Sequence, residues 1–339
     1  MNDKQTNDLF ILGAGFSKAV SSHMPVLTEL SDEIEARLAE NEETKDICVG
    51  LCRAFPRNIE LWMTYLSQSH PWLSEAQNLR NRAAFFDVLW HLRNVLSIKE
   101  ELSIHTPCAE WFCRLVEKWH AAHTPVVTLN YDTLVERCAT QVKLQNGHLD
   151  CACIYPIMLV RLLHLRGSFA IRQTADTFML YKLHGSVNWF YSGAANPIGE
   201  TIYYGSRSPY KGGGWEFTGT EKAPDDKVPF IVPPLTEKHS YFQHETVRSL
   251  WSHAANALSS TTRVFVLGYS LPITDLGIRF FLSQNCVSTT QTFYLVNTDE
   301  RITEHFRVLL GNKYAINSEF VTAESAIPDF VNSYVSGRL

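Results

Sequence analysis

The chain has 339 residues, 45% of them apolar and 19% charged, with a formal net charge of −5. That length and apolar content allow a substantial buried core, and the negative balance argues against a broad electrostatic attraction to nucleic acid as the main activity. No run of about 20 apolar residues marks a membrane span, and the opening Met1-Asn2-Asp3-Lys4 lacks the basic and apolar regions of a signal peptide, so a cytoplasmic protein is expected.

Taken in chain order, Asp8 to Leu12 is an apolar run that predicts a first strand. A glycine turn follows, then a helix on which Leu27, Leu30, Ile34 and Leu38 recur at spacings of three and four. From about residue 45 to 122 only helical periodicity is present. Phe85, Leu89, Leu92 and Leu96 form one stripe and Trp111, Leu115 and Trp119 a second, with Thr106 and Pro107 as N-cap and first residue of the second helix. This stretch, 45–122, is expected to be a helical insertion packed on a sheet, within a single domain covering 1–339.

Pro125 to Leu129 predicts the next strand, and Leu134, Val135 and Cys138 continue as a helix, so the strand-turn-helix unit repeats. Residues 178–183 form a third strand candidate ending at His184, and Gly193 to Asp226, rich in glycine, tyrosine and serine, reads as a loop or hairpin excursion. Phe230 to Val232, Arg263 to Leu267 and Thr292 to Val296 are further buried-strand candidates, with Val247, Trp251, Ala254 and Leu258 marking a helix between the first two. The alternation predicts an α/β fold with a parallel sheet and helices on both faces.

Polar clusters stand at the carboxyl ends of several of these strands, where open α/β sheets build ligand sites. Gly13-Ala14-Gly15 suits a phosphate, because glycines let backbone amides approach an anion, but it also suits a tight turn with no ligand. A G-x-G-x-x-G/A dinucleotide fingerprint would need a small residue where Lys18 stands. Asn130 and Asp132 precede a helix, which either can cap. A neutral amide such as Asn130 can also hold a ribose hydroxyl or a water. His184, followed by Gly185, places an imidazole beside a close-approaching ligand, and an ordinary pKa of about 6.5 fits proton transfer. Gly268 and Ser270, in Gly268-Tyr269-Ser270-Leu271-Pro272, present a second contact for phosphate or ribose. Asn297 and Asp299 either reach an adenosine or end their strand. Lys18 and Lys238 read as surface lysines, their other use being to hold an extra phosphate.

The eight cysteines form no C-x-x-C half-site, so reduced, mostly buried thiols and no metal are expected, with Cys151, Cys153 and His148 the one grouping to check.

Gly13 to Ser17 (GAGFS), Thr128 to Asp132 (TLNYD), Lys182 to Ser186 (KLHGS) and Gly268 to Pro272 (GYSLP) stand in sirtuin order, over about residues 8–300. The chain resembles the sirtuin-like NAD-consuming proteins of bacterial antiviral defence. The resemblance implies a Rossmann-like, sirtuin-type fold with NAD as substrate across the strand ends. It places Gly13, Ala14, Gly15 and Ser17 on the pyrophosphate, and Asn130 and Asp132 near the nicotinamide and its ribose. His184 is then the base, Gly268 and Ser270 lie near phosphate and ribose, and Asn297 lies near adenosine.

The four-cysteine zinc module of deacylating sirtuins has no counterpart, and around Met24 to Thr28 only Pro25 fits the run that follows their first glycine motif. The implied activity is therefore an NAD glycohydrolase yielding nicotinamide and ADP-ribose, with Asn130 and His184 catalytic and antiphage defence by NAD depletion as its setting. The alternatives are a protein deacylase or ADP-ribosyl transferase and, from a different class, a non-enzymatic NAD or ADP-ribose sensor or scaffold. An NAD hydrolase harms its own cell unless restrained, so control by homo-oligomerisation or by a separate sensor is expected. Only about 40 residues follow Asn297, too few for an added domain of the usual size, so the sensor is expected on a separate chain; the resemblance suggests a helicase-like ATPase or an Argonaute-type protein. The tryptophan-bearing surface of 45–122, with Trp62, Trp72, Trp90, Trp111 and Trp119, is the first candidate contact.

Overall fold

The computed structural model describes residues 8–40, 42, 45–142, 151–162, 176–192, 201–205, 210, 227–236, 238–286, 290–322 and 325–339. The chain opens with β1 (Asp8–Leu12) and α1 (Ala14–Val20), then runs through α2 (Leu27–Leu38), α3 (Lys45–Ala54), α4 (Ile59–Ser67), α5 (Glu75–Ser103) and α6 (Glu110–Ala122). Next come β2 (Val126–Thr128), α7 (Leu134–Gln141), β3 (Val160–Arg161), β4 (Leu180–Lys182), β5 (Gly185–Tyr191), β6 (Tyr203–Tyr204) and β7 (Val228–Ile231). The remainder is α8 (His239–Phe242), α9 (Glu245–Ser259), β8 (Arg263–Leu267), α10 (Leu276–Asn285), β9 (Thr292–Asn297), α11 (Ile302–Leu310), β10 (Ala315–Val321) and α12 (Ala326–Val335).

The main sheet has six strands in the order β10-β9-β8-β1-β2-β4, all parallel. The chain winds outward from β1 in one direction through β2 and β4, then returns to the other side of β1 for β8, β9 and β10. This doubly wound, Rossmann-like order puts the topological switch point between β1 and β8. Toward their carboxyl ends the two strands are apolar where they pair, with Phe10 opposite Phe265 and Leu12 opposite Leu267. At the opposite end Asp8 takes a two-pronged hydrogen bond from Arg263 (2.7 and 2.8 Å) and one from the Tyr334 hydroxyl (2.8 Å), tying β1, β8 and α12 together.

Helices cover both faces. Phe10 meets Trp119 of α6 and Tyr334 of α12 on one side, and on the other Phe293 meets Phe306 of α11. Among the described residues no helix is long and apolar enough to cross a membrane.

Two differences from the sequence expectation bear on the site. Phe230 and Ile231 belong to β7, which lies in a second, four-stranded sheet ordered β3-β6-β5-β7 with antiparallel β5-β6 and β5-β7 pairs, and not in the parallel sheet. The chain crosses between sheets at Leu183-His184. Gly185 (φ +77°) makes the crossing possible, since a Cβ there would lie 2.2 Å from the Phe230 carbonyl oxygen. In the excursion 193–226 only 201–205 and 210 are among the described residues, and they include β6.

The second difference concerns the helices of 45–122. The buried side of α5, with Phe85, Leu89, Leu92 and Leu96, joins α2, α3 and α4 in a cluster that reaches Val187 and Ile231 of the small sheet. The α6 residues Phe112, Leu115, Val116 and Trp119 instead join the core of the main sheet. The second helix begins at Glu110 with Ala109 as N-cap, and Thr106 bonds back to the Ser103 carbonyl (3.4 Å), closing the preceding turn. Trp62 and Trp119 are core residues, whereas Trp72 and Trp90 are 71% and 57% exposed.

Candidate active site

Four segments leave the main sheet at one level. Past the strand ends the ladder continues by one bond each: Leu129 N–H to Leu12 O (3.0 Å), Leu183 N–H to Thr128 O (3.2 Å), Gly13 N–H to Leu267 O (3.0 Å) and Gly268 N–H to Val296 O (2.9 Å). The sequence motifs thus meet at the carboxyl edge, with the Gly13 and Gly268 turns astride the switch point.

These two turns press together. Gly268 has φ +65°, and a Cβ there would sit 2.2 Å from the Phe16 amide nitrogen, while one on Gly13 would sit 2.5 Å from the Tyr269 Cα. The Gly15 amide donates to Gly268 O (2.9 Å). The amides of Gly13 and Gly15 are therefore spent on holding the turns closed, which is the ligand-free use of this motif. Gly268→Ala is expected to cost roughly 1–3 kcal/mol from backbone strain alone, and to lower ligand affinity by splaying the turns. Urea unfolding of the two proteins checks it.

Asn130 stands on the β1 side of the crevice. Its Nδ2 donates to Gly13 O (2.9 Å) and to Ser17 Oγ (2.8 Å), and Ser17 Oγ donates to Asp132 Oδ2 (2.6 Å). A carbonyl only accepts, so Gly13 fixes which end of the Asn130 amide faces it. Both Nδ2 hydrogens are then used, and Oδ1 is left to accept from a bound hydroxyl or water. Asp132 is buried, and its Oδ1 takes the Leu134 amide (3.1 Å) at the start of α7. Burial pushes its pKa up to about 6, against the opposing pull of Lys182 and the Ser17 hydrogen bond.

His184 is also buried, and its surroundings differ from the ordinary imidazole expected of a base. Its Nε2 faces Lys238 Nζ at 3.3 Å. Burial, then the Lys238 cation, push its pKa down to about 3, and Asp275 and a hydrogen bond to the Leu129 backbone only partly offset them. His184 is therefore neutral, with Nε2 accepting from Lys238.

Lys238, expected on the surface, is 4% exposed because it is paired with Asp275 at 2.8 Å. Asp275 also accepts from the Tyr269 hydroxyl (2.9 Å). Burial works to raise the Asp275 pKa, but Lys238, His184 and the hydrogen bonds from Lys238 and Tyr269 together hold it below the usual carboxylate range. Glu60 of α4 reaches the same cluster, hydrogen-bonded by the Thr274 hydroxyl, and burial raises its pKa. Lys18 behaves as a surface lysine and pairs with Glu29 at 2.9 Å.

The remaining expected residues are placed as follows. Ala14 is half-buried in the first turn of α1. Ser270 is exposed, and its carbonyl meets the His305 ring at 3.2 Å. Asn297 bonds to Tyr269 O (3.2 Å) and to the Asp299 amide (3.1 Å), so of its two possible uses the strand-ending one is occupied. A surface concavity of ≈ 640 Å³ is lined by Phe242, Glu245, Arg248, Ser249, Trp251 and Ser252. None of these is a motif residue, though the Trp251 ring lies 6.5 Å from that of His184.

Sequence reasoning missed Asp275 and Glu60, and it read Lys238 as a surface lysine. Asp275, three residues beyond the GYSLP turn, was the one with a local signal. Of the suggested metal grouping, His148 lies outside the described residues and Cys153 is buried.

No protein-family model matches the chain, and no curated protein sequence does. Among solved structures, a Sir2 homologue in complex with NAD aligns at 12% identity over 97% of this chain and 91% of that one, with a TM-score of 0.43. A Sir2 homologue variant in complex with ADP-ribose aligns at 12% identity over all of both chains, with a TM-score of 0.42. A structure described as the basis for the mechanism and regulation of Sir2 enzymes aligns at 12% over 98% and 94%, with a TM-score of 0.42. None of these likenesses assigns a role to a residue of this chain.

Proposed function

We propose that this chain is an NAD glycohydrolase that binds NAD across the switch point and releases nicotinamide and ADP-ribose. The observation that carries the reading is the convergence of Ser17, Asn130, Asp132 and His184 at one sheet edge, with Asn130 oriented so that Oδ1 is its available atom. The ordered motif set in the sequence supports the same substrate. Departure of neutral nicotinamide leaves positive character on the ribose, which the Asn130 oxygen and the nearby Asp132 carboxylate favour. Water supplies the new oxygen and gives up a proton, which a neutral His184 can take once its Nε2 is no longer held by Lys238.

That last condition supports a restrained resting state. With Lys238 donating to Nε2 and a pKa near 3, His184 cannot serve as an effective base. Activation then requires a movement that separates Lys238 from His184. We assign that movement to assembly with further copies of the chain or with a separate sensor protein, and the biological setting to antiphage defence through NAD depletion, in line with the motif resemblance.

Leu79, Phe86 and Trp90 recur on one exposed side of α5 and are the contact surface we favour for assembly. Trp90→Ala with Phe86→Ala is expected to lower the assembled mass by light scattering, and an unchanged mass would remove this surface from the proposal.

The pH dependence follows from Asp132. As pH falls through about 6 its carboxylate takes a proton and ceases to be a full acceptor for Ser17, loosening the Asn130 amide. Turnover is expected to decline on that acid limb. Asp132→Asn is expected to turn over more slowly and without the limb; a limb unchanged in that variant would count against this assignment.

The direct experiment is nicotinamide release from NAD by the purified chain over a concentration range, with Asn130→Ala and His184→Ala alongside. Turnover abolished in both variants supports the reading. Binding of NAD with no nicotinamide, alone or with partners supplied, would replace it with a sensor or scaffold, and acyl transfer from a modified peptide would replace it with a deacylase.

A further inference from the structure

Away from the NAD crevice, three cysteines that are distant in sequence meet between α6 and α7. Cys108 lies just before α6, Cys113 is on α6 and Cys138 is on α7. Their sulfur atoms all lie within 4.8 Å of one another. The Cys108 thiol contacts Cys138 Sγ at 3.5 Å, and the Cys113 thiol is hydrogen-bonded to both of the others. Spacings of five and 25 residues hide this trio from any motif search.

One buried and two half-buried thiols are by default inert, small apolar side chains. A second observation separates this cluster from that default. The hydroxyl of Tyr210, which is 3% exposed, is buried and has no hydrogen-bond partner among the described residues. Burial pushes its pKa up, and the Cys108, Cys138 and Asp132 groups add to that rise against the pull of Arg137. A buried phenol normally finds a partner, and the Cys108 and Cys138 thiols are among the groups that act on this one.

We propose that Cys108, Cys113 and Cys138 bind a thiophilic cation with a filled d shell, Zn²⁺ or Cu⁺, with Tyr210 as the oxygen next to it. The geometry suits either ion. With metal–sulfur bonds of about 2.3 Å, sulfurs around one cation are about 3.8–4.0 Å apart, close to the spacing present. A disulfide needs about 2.05 Å and leaves the third thiol over. On binding, the thiols lose their protons to solvent and the sulfurs donate electron pairs to the cation, with no redox change. The site is unlike paired C-x-x-C half-sites in both spacing and place. It joins α6, which packs in the main core, to α7, which is entered directly from the Asn130–Asp132 turn. A bound cation would therefore brace that turn from behind.

The test is elemental analysis of the full chain, purified under reducing conditions and exchanged against Zn²⁺ or, anaerobically, Cu⁺, followed by Co²⁺ substitution and its sulfur-to-cobalt charge-transfer absorption. The expected result is about one equivalent of one metal per chain, with the element retained from the cell telling Zn²⁺ from Cu⁺. Cys138→Ser and Cys113→Ser are expected to weaken retention at least about tenfold, and Tyr210→Phe to keep the metal but shift the cobalt spectrum. Cys286→Ser, a buried cysteine outside the cluster, is the control and should retain it. If Cys138→Ser fails to fold, Cys113→Ser, at a half-buried position, carries the comparison. A chain that takes up none of the three ions, or whose Cys108 and Cys138 are found as a disulfide by mass spectrometry, would overturn the proposal.

Discussion

Asn130→Ala is expected to lower nicotinamide release from NAD by about 10²–10³-fold, the usual effect of removing one aimed polar group from a site where charge develops. The fold should survive. Asn130 is half-buried, and its loss removes two hydrogen bonds from acceptors that water can reach in its place, so the stability change should stay within about 2 kcal/mol. Asn130→Asp separates orientation from volume. An aspartate has nearly the same shape but no N–H, so it would turn an anionic oxygen toward the Gly13 carbonyl and lose the bond to Ser17. If aimed hydrogen bonding is the role, the aspartate variant is as inactive as the alanine one. Single-turnover release of nicotinamide with saturating NAD makes the comparison, and near-normal turnover in Asn130→Asp would show that only bulk matters there.

The parallel sheet was legible because its central strands are short and buried on both faces. Arg263–Leu267 is nearly all apolar, and its bounds can be read from the sequence alone. β10 was not. Ala315–Val321 is an edge strand with a half-exposed pattern and polar residues at Asn317, Ser318 and Glu319, so no apolar run marks it. The small sheet was hidden for a different reason. β3 and β6 are two residues each, too short for any periodicity, and β5 begins immediately after a histidine and a glycine that read as a strand end. Gly185 does end a strand, but it starts another in a second sheet, and only the close approach of Phe230 tells the two apart.

The placing of the motif residues at neighbouring strand ends was legible in the sequence more than their states were. Strand ends can be found from local pattern, which is why Gly13, Asn130, His184 and Gly268 come together. What surrounds each is set by residues far along the chain. Asp132 is joined to Ser17 across 115 positions, and the α4 residue Glu60 meets Thr274 across 214. A lysine among polar neighbours, Lys238, looks like surface until its buried carboxylate partner is known. The proton affinity of His184 depends on that lysine, so the expectation of an ordinary histidine failed where a long-range contact decided the matter.

Lys238→Met is the substitution with the largest expected effect on stability. Lys238 and Asp275 are both nearly excluded from solvent, and removing one member of a buried pair leaves the other charge uncompensated, at a cost of about 3–5 kcal/mol. Pairing Lys238→Met with Asp275→Leu removes both charges and should recover most of that loss. The pH dependence identifies the cause. In the native chain Asp275 titrates below its unfolded value, so its contribution is present above about pH 4 and fades as pH falls further. Without Lys238, burial dominates and Asp275 titrates higher than in the unfolded chain, so acid relieves the variant by neutralising the stranded carboxylate. The stability gap between variant and native chain should therefore be widest at neutral pH and narrow toward pH 4, as read from urea midpoints at matched slopes. A gap constant across that range would mean that Lys238 acts through packing alone. Loss of the cation also removes the proton donor from His184 Nε2, so at neutral pH the same variant, if still folded, should release nicotinamide faster at chain concentrations where the native protein is at rest. Slower release would detach Lys238 from the resting state proposed here.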